Sequence, residues 1–218
     1  MNIGLIGGTG KEGRGLALRW ARAGHRIVIG SRDAARAEAS ARELSGVAGV
    51  EIAGGDNGAA AACEVVAVCV PYAAQAETLA PLRAALAGKI VIDLVVPLAP
   101  PQVTRVRIPD GGSAALEAHQ ALDGAARIVA ALHHVSSVHL ADLGHAMAGD
   151  VLVAGDDAPA KEIVLGLIRE LGMRGVDAGP LVNATALEAM TPVLLYMNKK
   201  YKRVGLGLRI AGLEDVEA

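Results

Sequence analysis

The run Gly8-Thr9-Gly10-Lys11-Glu12-Gly13 has the form G-x-G-x-x-G and directly follows a short apolar segment, Asn2 to Ile6. In that position each glycine has a physical task. The first permits a tight turn, the second lets backbone approach a pyrophosphate, and the third lets a helix pack closely on a strand. The helix that opens at Lys11 adds free N–H groups and a partial positive charge at its N-terminus. The chemistry expected of this loop is dinucleotide binding.

The end of the next strand, Gly30-Ser31-Arg32, bears on which dinucleotide. A site for NAD places Asp or Glu there to take the ribose 2′-OH. Neither Ser31 nor Arg32 is acidic; together they offer a hydroxyl and a guanidinium to a 2′-phosphate. Arg36 lies one helical turn on and can close the same pocket, and Thr9 adds a hydroxyl from the loop. Two arginines at a helix start run against the helix dipole and suit a bound anion. The competing arrangement is a solvated helix start with Asp33 or Glu38 as surface partners. NADP(H) is the dinucleotide expected.

The elements needed to position these groups are visible as alternating apolar runs and Ala-rich helical stretches. Strands are expected at Asn2 to Ile6, Arg26 to Ile29, weakly at Val50 to Ala53, then at Val65 to Val70, Lys89 to Val96, Arg127 to Leu132, Asp150 to Ala154 and Arg174 to Asp177. Helices are expected between them, among them Lys11 to Ala23, Asp33 to Leu44 with Asp33 as N-cap, Pro71 to about Leu86, Ser113 to about Leu122, and a helix capped by Asp157. This order predicts an α/β fold, a doubly wound and mainly parallel Rossmann sheet. Residues 1–180 form the dinucleotide-binding domain and 181–218 a small C-terminal helical part. In that part Leu187, Met190, Leu194 and Met197 share one helix face, Thr185 and Glu188 have capping-box spacing, and Pro192 should kink the helix.

Ligands in such sheets lie at the carboxyl ends of the strands. There the chain offers apolar Val70-Pro71 and Val95-Val96-Pro97, able to flank a nicotinamide, and the polar run His133-His134-Val135-Ser136-Ser137. His133 is either a ligand-facing hydrogen-bond donor or a histidine orienting a loop. The spacing of His133, His134, His139 and His145 matches no zinc pattern, so no metal is expected. No Ser/His/Asp or Cys/His grouping is visible, so no catalytic side chain is assigned.

Composition narrows the partners. The 218 residues are 52% hydrophobic with a formal net charge of −2 and no basic block, which argues against nucleic acid or a membrane surface. Aromatic residues total 2% with no Phe, so small aliphatic side chains must build the core. Cys63 and Cys69 are read as reduced thiols, which with the absence of a charged leader at Met1 points to the cytoplasm.

Gly7-Gly8-Thr9-Gly10, Gly15-Leu16-Ala17-Leu18-Arg19, Gly24-His25, Gly30-Ser31-Arg32, Ala131-Leu132-His133, Gly155-Asp156-Asp157, Asp177 to Leu181, Thr191-Pro192 and Leu206-Gly207-Leu208 resemble the reductases that couple NADPH to the deazaflavin coenzyme F420. The resemblance covers nearly the whole chain. It implies a homodimer, with Thr9, Ser31, Arg32 and Arg36 on the NADP 2′-phosphate. It further implies Val70, Val96 and Ser137 along the nicotinamide half, and His133 and Leu206 near the deazaflavin. The implied reaction is direct hydride transfer between rings held roughly 3–3.5 Å apart in the absence of water. Where the family carries Trp followed by Glu-His, this chain reads Tyr72-Ala73-Ala74-Gln75. Two alternatives stand beside this one: an NADPH-dependent reductase of another acceptor (imine, carbonyl, flavin or metal complex), and a non-catalytic dinucleotide-sensing module.

Overall fold

Apolar runs short enough for strands alternate with Ala-rich stretches of helical period, and the chain folds in that alternation. The computed structural model describes residues 1–213. In chain order it contains β1 (Asn2–Ile6), α1 (Lys11–Arg22), β2 (Arg26–Ser31), α2 (Ala34–Ala48), β3 (Ala53–Asp56), α3 (Asn57–Ala61) and β4 (Val65–Val68). Next come α4 (Tyr72–Leu79), α5 (Arg83–Leu86), β5 (Ile90–Asp93), α6 (Ala114–Ala121), β6 (Arg127–Ala130), α7 (Ser137–Ala141), β7 (Asp150–Gly155), α8 (Ala158–Glu170), β8 (Arg174–Asp177) and α9 (Ala184–Tyr201).

The strands form one sheet in the order β3-β2-β1-β4-β5-β6-β7-β8. All neighbours are parallel except β6 and β7. This is the doubly wound, mainly parallel sheet that the sequence predicts. The chain leaves β1 toward β2 and β3, then returns to β4 on the other side, so a crevice opens at the carboxyl ends of β1 and β4. Both faces of the sheet are covered. Ile3, Leu5, Val65 and Ala67 pack into one core layer, and Ile6, Val66 and Val68 into the other. The continuous apolar runs follow from this double burial. Trp20 is fully buried, and its indole N–H donates to the Leu167 carbonyl at 3.1 Å.

Several expected boundaries move, each for a local reason. The third strand is Ala53–Asp56 rather than Val50 to Ala53. A Cβ on Gly54 would lie 2.5 Å from the Ala37 carbonyl oxygen, so α2 passes close enough that only glycine fits, and a glycine strand has no apolar signature. The helix expected from Pro71 to Leu86 is broken by a 3-10 turn at Ala80–Leu82, where Pro81 lacks the N–H to continue it. β5 stops at Asp93, whose own carboxylate accepts the Val95 N–H at 3.0 Å in place of a ladder partner. Asp33 and Asp157 cap α2 and α8 as expected. The capping box of Thr185 and Glu188 does not form: Thr185 bonds the Val182 carbonyl, and Glu188 is buried against another helix. α9 runs through Pro192 as one helix.

The C-terminal tail is tied to the sheet. Asp150 N donates to the Leu208 carbonyl, and the Asp150 carboxylate accepts from Arg174 at 2.9 and 2.7 Å and from Ile210 N at 2.5 Å. These bonds hold Leu206 beside the strand ends; residues 214–218 of the expected C-terminal part lie outside the described residues. Hydrogen bonding from Arg174 holds the Asp150 carboxyl below the usual range, with burial opposing. Because the folded pKa is depressed, this stabilisation is present above the unfolded value near 4 and is lost as pH falls through the folded value. Asp150→Asn is expected to cost about 1.5–3 kcal/mol at neutral pH by weakening the charge-assisted hydrogen bonds that the Asp150 carboxylate accepts from Arg174 and Ile210 N. Urea melts of both proteins should converge as pH drops below about 4.

Candidate functional site

The glycine loop sits in the crevice between β1 and β4. A Cβ on Gly13 would stand 2.5 Å from the Gly8 Cα, so loop and helix touch backbone to backbone. Around Gly10 the nearest protein atom to such a Cβ is 3.7 Å away. Packing therefore explains Gly13, whereas Gly10 keeps the cleft side clear. α1 begins after Gly10 with no side-chain cap, which leaves its first amides pointing into the cleft. Gly7 N donates to Asn57 Oδ1 at 3.1 Å, pinning the loop to the start of α3.

Facing this loop is a polar rim. Thr9, Ser31, Arg32, Arg36 and Asn57 line one cleft of about 510 Å³ together with Gly10 and Glu12. Ser31 Oγ accepts the Asp33 N–H at 3.2 Å, so its hydroxyl proton is free to donate. Asp33 is occupied as the α2 cap, bonding Arg36 N, and Glu38 lies 4.0 Å from Arg42. Among the described residues no ion pair engages Arg32 or Arg36. The surface partners of the competing arrangement are thus committed elsewhere.

The same cleft continues along Val70, Pro71, Val96 and Leu98 to Leu132, His133 and Thr191. A second cleft of about 370 Å³ adjoins it and shares Glu12, Leu98, His133 and Thr191. Ser137 and Leu206 line this second space, together with residues of α9 such as Leu194 and Asn198. Of the residues singled out from the sequence, Gly8 and Gly13 support the loop from behind, and Lys11 contributes a helix-terminal amide with its side chain exposed. The others line one cleft or both.

Beneath the junction lies a wall of buried titratable groups. Asp93 is fully buried and accepts from Gln75 Nε2 at 2.5 Å as well as from Val95 N. Glu188 accepts from Ala114 N at 2.7 Å and Ala115 N at 3.0 Å, at the start of α6. Both ring nitrogens of His133 are buried; neither meets full hydrogen-bond geometry, although the ring lies against the Asp93 backbone. One ligating atom from each of Asp93, His133 and Glu188 falls within 4.8 Å of the other two. Burial pushes Asp93 up to about 7 and Glu188 up to about 8, against their hydrogen bonds. Burial, then the neighbouring His134, pull His133 down to about 3. Leu132 has φ of +68°, a costly conformation for a branched side chain, and it sets the direction in which His133 leaves the strand.

Sequence reasoning missed Asn57, Gln75, Asp93, Thr191 and Glu188. Thr191 Oγ1 donates to the His133 carbonyl at 2.8 Å. Asn57 and Gln75 carry no sequence signal. The cue for Glu188 was present, since a carboxylate on the apolar face of a helix needs a buried partner.

The family model described as NADP oxidoreductase, coenzyme F420-dependent, matches residues 2–97. An F420-dependent NADP reductase of Methanocaldococcus jannaschii is 38% identical over 98% of this chain and 100% of its own length. One from Methanothermobacter thermautotrophicus is 35% identical over 100% of this chain and 97% of its own. A crystal structure from Arthrobacter sp. FB24, put forward there as an F420-dependent NADP reductase, superposes with a TM-score of 0.80 at 26% identity, covering 96% of this chain and 98% of that one.

Glu12 adds a testable feature at the helix terminus. Burial raises its carboxyl to about 7, opposed by hydrogen bonds from Ser137, and its Oε2 has no partner. It is neutral below that value and charged above it, where it repels an anionic dinucleotide. Dinucleotide affinity measured by calorimetry should fall on the order of tenfold as pH rises through about 7, and Glu12→Gln should flatten that dependence.

Proposed function

The chain belongs to the F420-dependent NADP reductase family, and we propose that it passes hydride directly between NADP(H) and coenzyme F420 across its two adjoining clefts. The observation that carries this reading is the pair of unengaged guanidiniums, Arg32 and Arg36, beside Ser31 and Thr9 and opposite a glycine loop. That set suits the extra phosphate of NADP(H), and an acidic residue that would select NAD is missing from the strand end. The amides of Lys11 to Gly13 take the pyrophosphate. Val70, Pro71 and Val96 flank the nicotinamide, while His133, Ser137 and Leu206 border the deazaflavin in the second cleft.

The chain's own contribution is positional. Apolar walls and a tail held by Asp150 exclude water and keep the two rings in contact. Residues 1–180 serve the dinucleotide and 181–218 complete the second pocket, α9 through Leu194 and Asn198 and the following segment through Leu206. Exposed Val193, Tyr196 and Tyr201 on α9 and nearby Val204 support a homodimer that covers them. Free thiols at Cys63 and Cys69 support a cytoplasmic setting. Among the described residues no helix is long and apolar enough to cross a membrane.

The direct test mixes protein, NADPH and oxidised coenzyme F420 and follows loss of the deazaflavin absorbance. Turnover is expected; tight NADPH binding without turnover would discard coenzyme F420 as the acceptor. Arg32→Ala is expected to raise the KM for NADPH by about ten- to a hundredfold, the weight of a charge-assisted hydrogen bond. The KM for NADH should barely change, and equal effects on both would remove Arg32 from the phosphate site.

A further inference from the structure

We propose that Arg19 is a positioning residue for the second substrate: it mounts α7, which walls the second cleft, on the dinucleotide helix α1, so that one helix sets the spacing of both rings. The inference rests on the reading of the chain as an NADP(H)–F420 oxidoreductase. It starts from a helix that cannot hold itself. α7 spans five residues, Ser137–Ala141, and Ser136 before it makes no side-chain capping bond. A helix that short is unstable alone, and its last carbonyls have no partners within it. Ser136, Ser137 and Val138 nevertheless line the second cleft, so this wall needs support from outside.

Arg19, in the last turn of α1, supplies that support. Its Nε donates to the Leu140 carbonyl at 2.9 Å, and its Nη2 to the carbonyls of His139, Asp142 and His145 at 2.8, 2.7 and 3.1 Å. Among the described residues no carboxylate lies within ion-pair range of Arg19. The guanidinium is committed to these main-chain oxygens, at the end of α7 where a cation complements the helix dipole. Its planar fork reaches the helix end and the following turn together, which the compact ammonium of a lysine does not. Two more contacts lie on the same face of α1, where Glu12, Gly15 and Arg19 fall at i, i+3 and i+7. Ser137 hydrogen-bonds the Glu12 carboxyl. A Cβ on Gly15 would stand 2.6 Å from the Leu140 Cβ, so the two helices meet with no room for a side chain.

α7 passes its position on to the tail. A side chain on Gly205 would collide with the His139 ring, and that ring stacks on His145 with centroids 4.0 Å apart. Gly205 and Leu206 both line the second cleft. The supports therefore run from α1 through α7 to the tail. Arg19 itself lines neither cleft. It lies about 12 Å along the helix from the first amides of α1, which face the pyrophosphate site. Loss of the guanidinium therefore frees the wall of the second cleft and spares the dinucleotide end. Hydride transfer tolerates little error in the spacing of the two rings, so a clamp that touches neither ligand governs how productively the second one is seated.

Two variants test the clamp. Arg19→Lys keeps the charge and loses the fork. Its kcat/KM for coenzyme F420 should fall about ten- to a hundredfold, while the Kd for NADPH, measured by calorimetry, stays nearly unchanged. Gly15→Ala replaces a helix-weakening glycine in α1 and wedges Leu140 away. It should show the same split, and it carries the test alone where Arg19→Lys does not fold. Hydrogen exchange at the amides of Val138 to Leu140 should quicken at least about tenfold in both variants, with the amides of Leu16 to Ala21 unchanged. A parallel loss of NADPH affinity, an unchanged kcat/KM for coenzyme F420, or unchanged exchange in α7 leaves Arg19 a packing residue and sinks the proposal. If the unaltered protein fails to reduce coenzyme F420, the functional reading falls instead, and exchange in α7 still decides whether Arg19 holds that wall.

Discussion

The contact between Gly13 on α1 and Gly8 in the preceding loop sets the geometry on which the rest of the site depends. Backbone meets backbone there, with no room for a side chain on either residue. That closeness fixes where the first uncapped amides of α1 point, and they point into the crevice between β1 and β4. Asn57 holds the other end of the loop through Gly7. An anion-binding terminus is useful only if it is immobile before the anion arrives, because ordering it on binding would cost about 1–2 kcal/mol per residue. The packing places that cost in folding, where the buried sheet offsets it.

The larger cleft is polar at one end and apolar along its length. The rim around Ser31, Arg32 and Arg36 is charged and solvent-facing. The inner walls of Val70, Pro71, Val96 and Leu98 are apolar. Binding strength at the rim is bought with groups that could easily have been neutralised locally. Arg14, Arg42, Arg83 and Arg127 all lie near a carboxylate, whereas Asp33 beside Arg32 and Arg36 is spent on capping α2. A cap and two guanidiniums that no ion pair engages among the described residues are thereby built into the same turn. The acid that a helix start favours is kept, yet it is turned back on the backbone and away from the pocket.

Much of this was legible in the sequence, and the exceptions share a cause. The strands β1, β2, β4 and β8, the Asp33 and Asp157 caps and the glycine loop announce themselves through local pattern, and they fold as that pattern implies. β3 was misplaced because its identity lies in what α2 leaves room for, which Gly54 satisfies by having no side chain. Glu188 was misread because a Glu three residues after a Thr fits a local cap as well as it fits a distant helix terminus. Its actual partners, the amides of Ala114 and Ala115, are more than seventy residues away. Asn57, Gln75 and Asp93 act through partners chosen by the sheet order, and one-dimensional spacing holds no trace of them.

The segment after β4 ties these threads together. It reads Tyr72-Ala73-Ala74-Gln75. In the fold, Gln75 Nε2 donates to the buried Asp93 carboxylate, and Tyr72 donates its hydroxyl to Glu117 at 2.8 Å. Glu117 in turn accepts the Gly111 N–H and belongs to α6, the helix whose first amides hold Glu188. Tyr72 therefore ties α4 to α6, whose first amides hold Glu188 on α9, while Gln75 ties α4 to the end of β5. A buried acid such as Asp93 is tolerable only when its lone pairs are met, so Gln75 and Asp93 must be accepted together or not at all.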